Sequence, residues 1–244
     1  MLKSMDIIYE DNDILLCRKP AGMATQTKRL GQQDMESLLK NYRAKKGEQP
    51  YVGIVHRLDQ PVEGLMVFGK NPKATAELSK QIQQRMIGKY YYAVSAYAPE
   101  KEEGVLEDYL LTDKKSNHTT VVELHDNSKA KRAKLEYRVV ANDAEATLFD
   151  IKLHTGRQHQ IRVQMAHMGC ALVGDTKYGN SQSILRQQNE SEANSYRQGL
   201  ALCSYRLEFL HPTTKKPMDY RITPQGEEFR KFAESFPADK PEKP

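Results

Sequence analysis

No stretch of this sequence approaches the ~18 consecutive apolar residues that a membrane-spanning helix needs. The opening Met1-Leu2-Lys3-Ser4-Met5-Asp6 runs straight into a strand-like segment, without the apolar core of a signal peptide. A membrane partner is therefore not expected, and a cytoplasmic location is. Cysteine is scarce as well. Cys17, Cys170 and Cys203 are odd in number and far apart, which leaves neither a disulfide framework nor a metal-ligand spacing. They read most simply as core residues. The chain has no internal repeat and no linker, and it lacks a Gly-rich phosphate loop and a dinucleotide fingerprint.

What is present is ordinary for a globular protein. At 244 residues, with 39% hydrophobic and 28% charged side chains, the chain can bury a real core. Residues 1–236 are expected to form a single domain, with 237–244 a charged, Pro-rich, frayed tail. The net charge of +5 leans basic. Arg43-Ala44-Lys45-Lys46, Lys114-Lys115 and Lys129-Ala130-Lys131-Arg132-Ala133-Lys134 make an anionic partner plausible without identifying it.

Strands dominate the pattern. Ile7-Ile8-Tyr9 and Ile14-Leu15-Leu16-Cys17 flank Asp11-Asn12-Asp13, which reads as a hairpin turn. Asn71 as N-cap and Pro72 at the first helical position, with Ala74, Leu78 and Ile82 at four-residue spacing, predict a helix that stops near Gly88. Tyr90-Tyr91-Tyr92-Ala93-Val94 suits a strand. Four short antiparallel strands are expected around 106–111, 119–124, 135–140 and 146–153, with Asp126-Asn127-Ser128 and Asn142-Asp143 as turns. The stretch 181–198 is polar and reads as a surface excursion. A hairpin over 201–210 and 218–222 follows, and Thr223-Pro224 is expected to start a last helix with Phe229, Phe232 and Phe236 inward. The fold class is α+β.

Two segments carry the chemistry. In His56-Arg57-Leu58-Asp59-Gln60-Pro61-Val62-Glu63-Gly64 an aspartate sits in a stiff loop between two apolar runs, beside an arginine. A carboxylate on a rigid frame beside cations is how a nucleophile or base is presented. An isolated Arg-x-Asp is more often a turn salt bridge, so the loop alone leaves both readings open.

The second segment, Leu153 to Gly169, packs three histidines, two arginines and three glutamines around one helix start. Thr155 and Gln158 have capping-box spacing, and Ile161, Met165 and Met168 form one stripe. His154, His159 and His167 lack both an acidic neighbour and the i, i+4 pairing of a helical zinc site, so no metal is expected. An anion at the helix N-terminus, with Arg157 adding charge, fits better. Arg162 lies a turn further in. A buried arginine needs a carboxylate, and Asp59 is the candidate.

His56-Arg57-Leu58-Asp59 followed by Gly64-Leu65, and Thr155-Gly156-Arg157-Gln158-His159-Gln160-Ile161-Arg162-Val163, resemble the two signature motifs of the RluA family of pseudouridine synthases. Lys19-Pro20-Ala21-Gly22, Lys89-Tyr90-Tyr91-Tyr92-Ala93, Gly174-Asp175-Thr176-Lys177-Tyr178-Gly179 and Phe209-Leu210-His211-Pro212 resemble further family motifs. They are collinear from roughly residue 6 to 224. The resemblance implies a mixed, mostly antiparallel sheet flanked by helices, with a catalytic cleft across the sheet. It implies Asp59 as the catalytic aspartate, Tyr91 as the active-site tyrosine and Arg162 as the basic residue paired with the aspartate. Arg57 corresponds to the arginine that fills the RNA stack when a uridine leaves. Arg57 with His56, Arg157, His159 and Lys19 makes up the expected RNA-binding and base-flipping set. Some relatives carry an N-terminal S4-type domain; with motifs starting almost at Met1, none is expected here. The sequence leaves the usual pattern at Gln60-Pro61-Val62-Glu63, where groups approaching RNA are expected to differ.

The implied reaction isomerises uridine in ribosomal or transfer RNA to its C-glycoside and needs no cofactor. It asks for a carboxylate beside an electron-poor anomeric carbon. Asp59 could add to C1′ or remove the C2′ proton. A monomer acting on RNA is expected. Two other classes compete: an RNA-binding module that flips bases without chemistry, and a nucleoside or glycoside hydrolase. The first leaves Asp59, Tyr91 and Arg162 unexplained, and the second wants another catalytic carboxylate that the sequence does not offer convincingly.

Overall fold

The computed structural model describes residues 6–27, 29, 31–123, 129–179 and 199–237. The polar stretch 181–198, the turn Asp126-Asn127-Ser128 and the tail from 238 lie outside the described residues. In chain order the elements are β1 (Asp6–Glu10), β2 (Ile14–Lys19), α1 (Met35–Lys45), β3 (Gly53–Ile54), β4 (Glu63–Gly69), α2 (Pro72–Gln83) and β5 (Gly88–Ser95). There follow β6 (Glu103–Asp113), β7 (His118–Val122), β8 (Lys131–Asn142), β9 (Thr147–Leu153), α3 (Gln160–His167), β10 (Leu202–Leu210), β11 (Pro217–Arg221) and a 3₁₀ segment, Glu227–Ser235. This is the α+β class expected. The contacts divide into two compact units, one comprising the chain to Gly88 with Ser204–Pro224, the other Lys89–Cys203 with Gln225–Pro237.

The first unit is built on the strand order β1-β2-β4-β10, with β3 on β4 and β11 on β10. β1 and β2 form the expected hairpin, and Asp11 explains its turn: Oδ1 accepts the N–H groups of Asp13 and Ile14 at 2.8 and 2.9 Å. β2 and β4 are buried along their whole length, which is why both read as apolar runs rather than alternating ones. Helix α2 begins as expected, with Asn71 Oδ1 accepting the Ala74 N–H at 2.8 Å. It ends at Gln83 rather than near Gly88, because Arg85 turns into the left-handed region at φ 59°. Helix α1 had no counterpart in the expected elements. Its signal was a capping box at Asp34 and Ser37.

The second unit runs β5-β9-β8-β6-β7, antiparallel at every step. The four strands expected between 105 and 153 are all present, two of them longer than their apolar cores. The final helix differs from expectation. It is a 3₁₀ segment that starts at Glu227 rather than Thr223. Phe229 and Phe232 stand three residues apart and both are buried, a spacing that stacks side chains on a three-residue turn. Phe236 then packs on Tyr92 at 4.9 Å between ring centroids. The three cysteines are buried core residues. No helix among the described residues is long and apolar enough to cross a membrane.

Gly64, opposite Lys19 in the β2–β4 ladder, has φ +133°, and a Cβ there would stand 2.4 Å from the Ser204 carbonyl oxygen. Strand β10 approaches β4 this closely only because no side chain intervenes. Gly64→Ala should therefore cost about 2 kcal/mol or more of unfolding free energy. Urea denaturation measures it, and an unchanged midpoint would refute the close-approach argument.

Candidate active site

The turn bearing Asp59 is held from two sides within the first unit. Val62 N–H donates to the Asp59 carbonyl at 3.0 Å and closes the turn. On one side Thr25 Oγ1 donates to the Leu58 carbonyl at 3.1 Å and receives the Leu58 N–H at 3.3 Å. On the other, Gly22 N–H donates to the Gln60 carbonyl at 2.9 Å, while Gln60 Nε2 donates back to Gly22 O at 3.0 Å. A carboxylate between two such ties has little freedom to wander, as pre-organised chemistry requires.

Lys19 completes the clamp. Its side chain is 0% exposed, and its ammonium donates to the carbonyls of Met23 at 2.6 Å and of Pro20 and Gln60 at 3.0 Å. Burial pushes its pKa down to about 8, against the pull of the Asp59 and Glu63 charges. Lys19, expected among the RNA-binding residues, is turned inward onto this turn and has no exposed surface. It carries positive charge to the Asp59 turn and sets that turn's shape. The departure at 60–63 also takes on a different meaning. Val62 and Glu63 are 2% and 6% exposed, so of these four residues Gln60 alone is fully exposed. His56 Nε2 accepts the Val67 N–H at 3.1 Å, which makes its neutral Nδ1–H tautomer the one that supports the loop. Arg57 is exposed beside buried Leu58.

The second unit holds Tyr91, Arg157, His159 and Arg162. Tyr91 lies on β5 opposite Ile151 of β9 and is 6% exposed. Its neighbours point to the other face, where Lys152 Nζ sits 5.9 Å from the Tyr90 ring centroid and Phe236 covers Tyr92. Both neighbours are packing residues, as the alternation predicts.

Arg162 is 6% exposed, and the carboxylate it requires within its own unit is Asp175. Nε and Nη2 donate to the two Asp175 oxygens at 2.7 and 2.6 Å. Asp175 Oδ1 also accepts the N–H groups of Lys177 and Tyr178 at 3.0 and 3.1 Å. Burial alone would raise the Asp175 pKa, but the hydrogen bonds and charge of Arg162 with these N–H groups bring it below its usual value. The Tyr178 ring lies 5.0 Å from the Arg162 guanidinium carbon, and its hydroxyl is 2.6 Å from His159 Nδ1 and accepts the Thr119 N–H at 3.0 Å. Asp175 and Tyr178, in a motif to which the sequence assigned no role, are the residues that hold Arg162 and His159. Their signal was Gly174-Asp175-Thr176-Lys177-Tyr178-Gly179, where a charged residue and an aromatic recur in one tight turn.

The start of α3 differs from the expected capping box. Thr155 donates to Gln160 Oε1 at 2.7 Å, not to a residue three along, and His159 is the N-cap, at φ 53° and without a side-chain cap bond. Gln160 continues to Gln164 at 2.9 Å, and Gln164 to Asp108 at 2.6 Å. This buried amide chain anchors the turn, because Gln160 Oε1 also accepts the Arg157 N–H at 3.0 Å. Arg157 Nε donates to the Arg132 carbonyl at 2.9 Å. His154 Nε2 stands 2.8 Å from Glu136, and His167 is exposed.

Removing the Asp175 charge should leave Arg162 as a buried cation short of its partner. Asp175→Asn is expected to cost about 3 kcal/mol near neutral pH. The native carboxylate has its pKa below the ordinary 3.8, so its contribution is complete above that value and is lost as pH falls through the folded pKa. The gap between native and variant stability should therefore stay constant at moderate pH and narrow in strong acid. A gap independent of pH to below 3 would count against the ion pair.

Residues 13–167 match the family model described as RNA pseudouridylate synthase. A ribosomal large subunit pseudouridine synthase D from Pasteurella multocida is 32% identical, covering 96% of this chain and 72% of its own length. A dual-specificity RNA pseudouridine synthase RluA from Vibrio vulnificus is 33% identical over 85% of this chain and 78% of its own. For an uncharacterised RNA pseudouridine synthase from Bacillus subtilis, 31% identical, this chain spans 65% of the relative's length. Among solved structures, human RNA pseudouridylate synthase domain containing 4 superposes with a TM-score of 0.74 at 20% identity, covering 90% of this chain and 89% of its own, which shows a shared fold. The chain belongs to the RluA-type family of RNA pseudouridine synthases.

Proposed function

We propose that this chain isomerises uridine to pseudouridine in ribosomal or transfer RNA, with Asp59 as the essential carboxylate. The observation that carries the reading is the Asp59 turn, locked by Thr25 on one side and by Gly22 and the buried Lys19 ammonium on the other. A salt bridge on a surface turn would need no such frame.

The reaction breaks the N1–C1′ bond, turns the base and rejoins it through C5. An ionised aspartate serves either at C1′ or at the C2′ proton, and the Lys19 charge nearby favours that ionised form. In this reading Arg162 is the basic partner of the site, and Asp175 keeps its guanidinium in one plane. Tyr91 supplies a ring for the detached uracil, and buried surroundings keep water from it. The C5 proton must leave at the end, and the Tyr91 hydroxyl is the group of that strand suited to it.

A uridine inside stacked RNA must first be flipped out, at a cost of a few kcal/mol. Arg57, exposed on the rigid turn, fills the gap it leaves. Basic side chains such as Lys131 and Lys134 add phosphate contacts that make binding salt-sensitive.

Tritium release from RNA carrying 5-[³H]uridine tests the reading. The native chain should release tritium, and Asp59→Asn and Asp59→Ala should release none while still binding RNA. Persistent release from both variants would remove Asp59 from the chemistry, and free uracil as product would indicate a hydrolase instead. Arg57→Ala should slow turnover on structured RNA more than on a short unpaired strand. Equal losses on the two substrates would remove the stack-filling role.

A further inference from the structure

Lys19 and Lys70 are buried and Lys89 is half-buried, and only the first two are compensated. Lys19 has three carbonyl oxygens and the nearby charges of Asp59 and Glu63. Lys70 Nζ donates to Glu10 at 2.6 Å and to the Asp11 carbonyl at 2.7 Å, with Glu48 at 3.2 Å. Lys89 has neither kind of partner. Among the described residues none offers its ammonium a hydrogen bond or a carboxylate, and burial alone depresses its pKa. A desolvated cation without compensation is unfavourable unless something anionic arrives.

Its position says where that anion would sit. Lys89 precedes Tyr91 by two residues on β5, so the two side chains leave the same face of the strand. An ideal Cβ on Gly156 would lie 3.4 Å from Lys89 Nζ. Gly156 is itself exposed, and the next residue is Arg157, whose backbone N–H and Nε are anchored on Gln160 and on the Arg132 carbonyl. That anchoring leaves the two Nη groups of Arg157 for another acceptor. An ammonium beside a bare glycine, with a guanidinium on the next residue and an aromatic ring on the same strand face, suits a phosphodiester. The glycine allows close approach, the ammonium gives a point charge and the guanidinium a directed fork.

We propose that Lys89 and Arg157, at the bare backbone of Gly156, form a phosphate subsite for the backbone of the nucleotide whose base stacks on Tyr91. The inference rests on the reading of the chain as an enzyme of RNA uridines, and it adds Lys89 as a substrate-binding residue.

The test uses unmodified ribosomal and transfer RNA transcripts carrying 5-[³H]uridine, bound by full-length protein in an Asp59→Asn background over a range of potassium chloride. Lys89→Gln should lower the slope of log affinity against log salt by about one, as for one lost phosphate contact. Binding at the low-salt end should weaken about tenfold. Lys89→Arg should keep most of the slope. Lys89→Met should melt no earlier than the native chain, because it removes an uncompensated charge from a half-buried place; this variant gives the slope if Lys89→Gln folds poorly. An unchanged slope in both neutral variants would overturn the subsite, as would weakened binding with the native slope. If the native chain released no tritium from these transcripts while the Lys89-dependent slope persisted, the isomerase reading would fall and the phosphate subsite would stand.

Discussion

The Lys19 ammonium is the interaction around which the first unit is arranged. A charge removed from water costs several kcal/mol unless fully solvated by the protein. Here the solvating oxygens come from two separate loops, Pro20 and Met23 on one and Gln60 on the other. Satisfying the lysine and joining the loops are therefore the same event. Gly64 belongs to this arrangement: it faces Lys19 across the ladder and lets β10 pass where any side chain would collide with Ser204. Thr25 closes the other side, its hydroxyl both donating to Leu58 and accepting from it. The geometry of Asp59 follows largely from the buried Lys19 ammonium and Thr25 hydroxyl.

The second unit solves a similar problem by a different route. Arg162 is buried on a helix whose inward face also carries Gln160 and Gln164, so α3 is a polar element inside a core. Each of these groups is paired. Asp175 takes the guanidinium bidentately, and the two glutamines form a chain from Thr155 to Asp108. A half-satisfied version of such a network would be worse than an apolar helix. Its completeness explains why the turn at 174–179 is built as it is: Asp175 needs the Lys177 and Tyr178 N–H groups as well as Arg162 to hold its charge in place.

Much of this was legible where a residue's signal is local. The β1–β2 turn follows from Asp11, the start of α2 from Asn71 and Pro72, and the buried strands β2 and β4 from unbroken apolar runs. Asp59 stood out because a charged residue in a Pro-stiffened loop between such runs is unusual. What the sequence did not reveal depends on partners far along the chain. Lys19 looks like any lysine before a proline until Gln60, forty-one residues on, closes over it. Arg162 advertises a need for a carboxylate, but Asp175 as a partner is hidden, separated from it by a turn with no periodicity. The 3₁₀ segment was missed for another reason: a phenylalanine spacing of three then four fits both helix types, and backbone geometry decides between them.

The state of its buried cations separates the structural from the functional parts of the chain. Lys19 and Lys70 are surrounded by acceptors in the folded protein, so a ligand gains little by approaching them, and their service is to shape. Exposed cations such as Arg57 and Lys131 lie at the other limit, hydrated and screened by salt. Lys89 falls between the two, desolvated by its strand yet short of an acceptor. For such a group the protein has already met the desolvation cost, so the whole of a new electrostatic contact appears as binding. A polyanion threading past Tyr91 would thus be held most firmly at the point where its base is to be turned, which is where registration matters most to an isomerase that must release a base and recapture it on another atom.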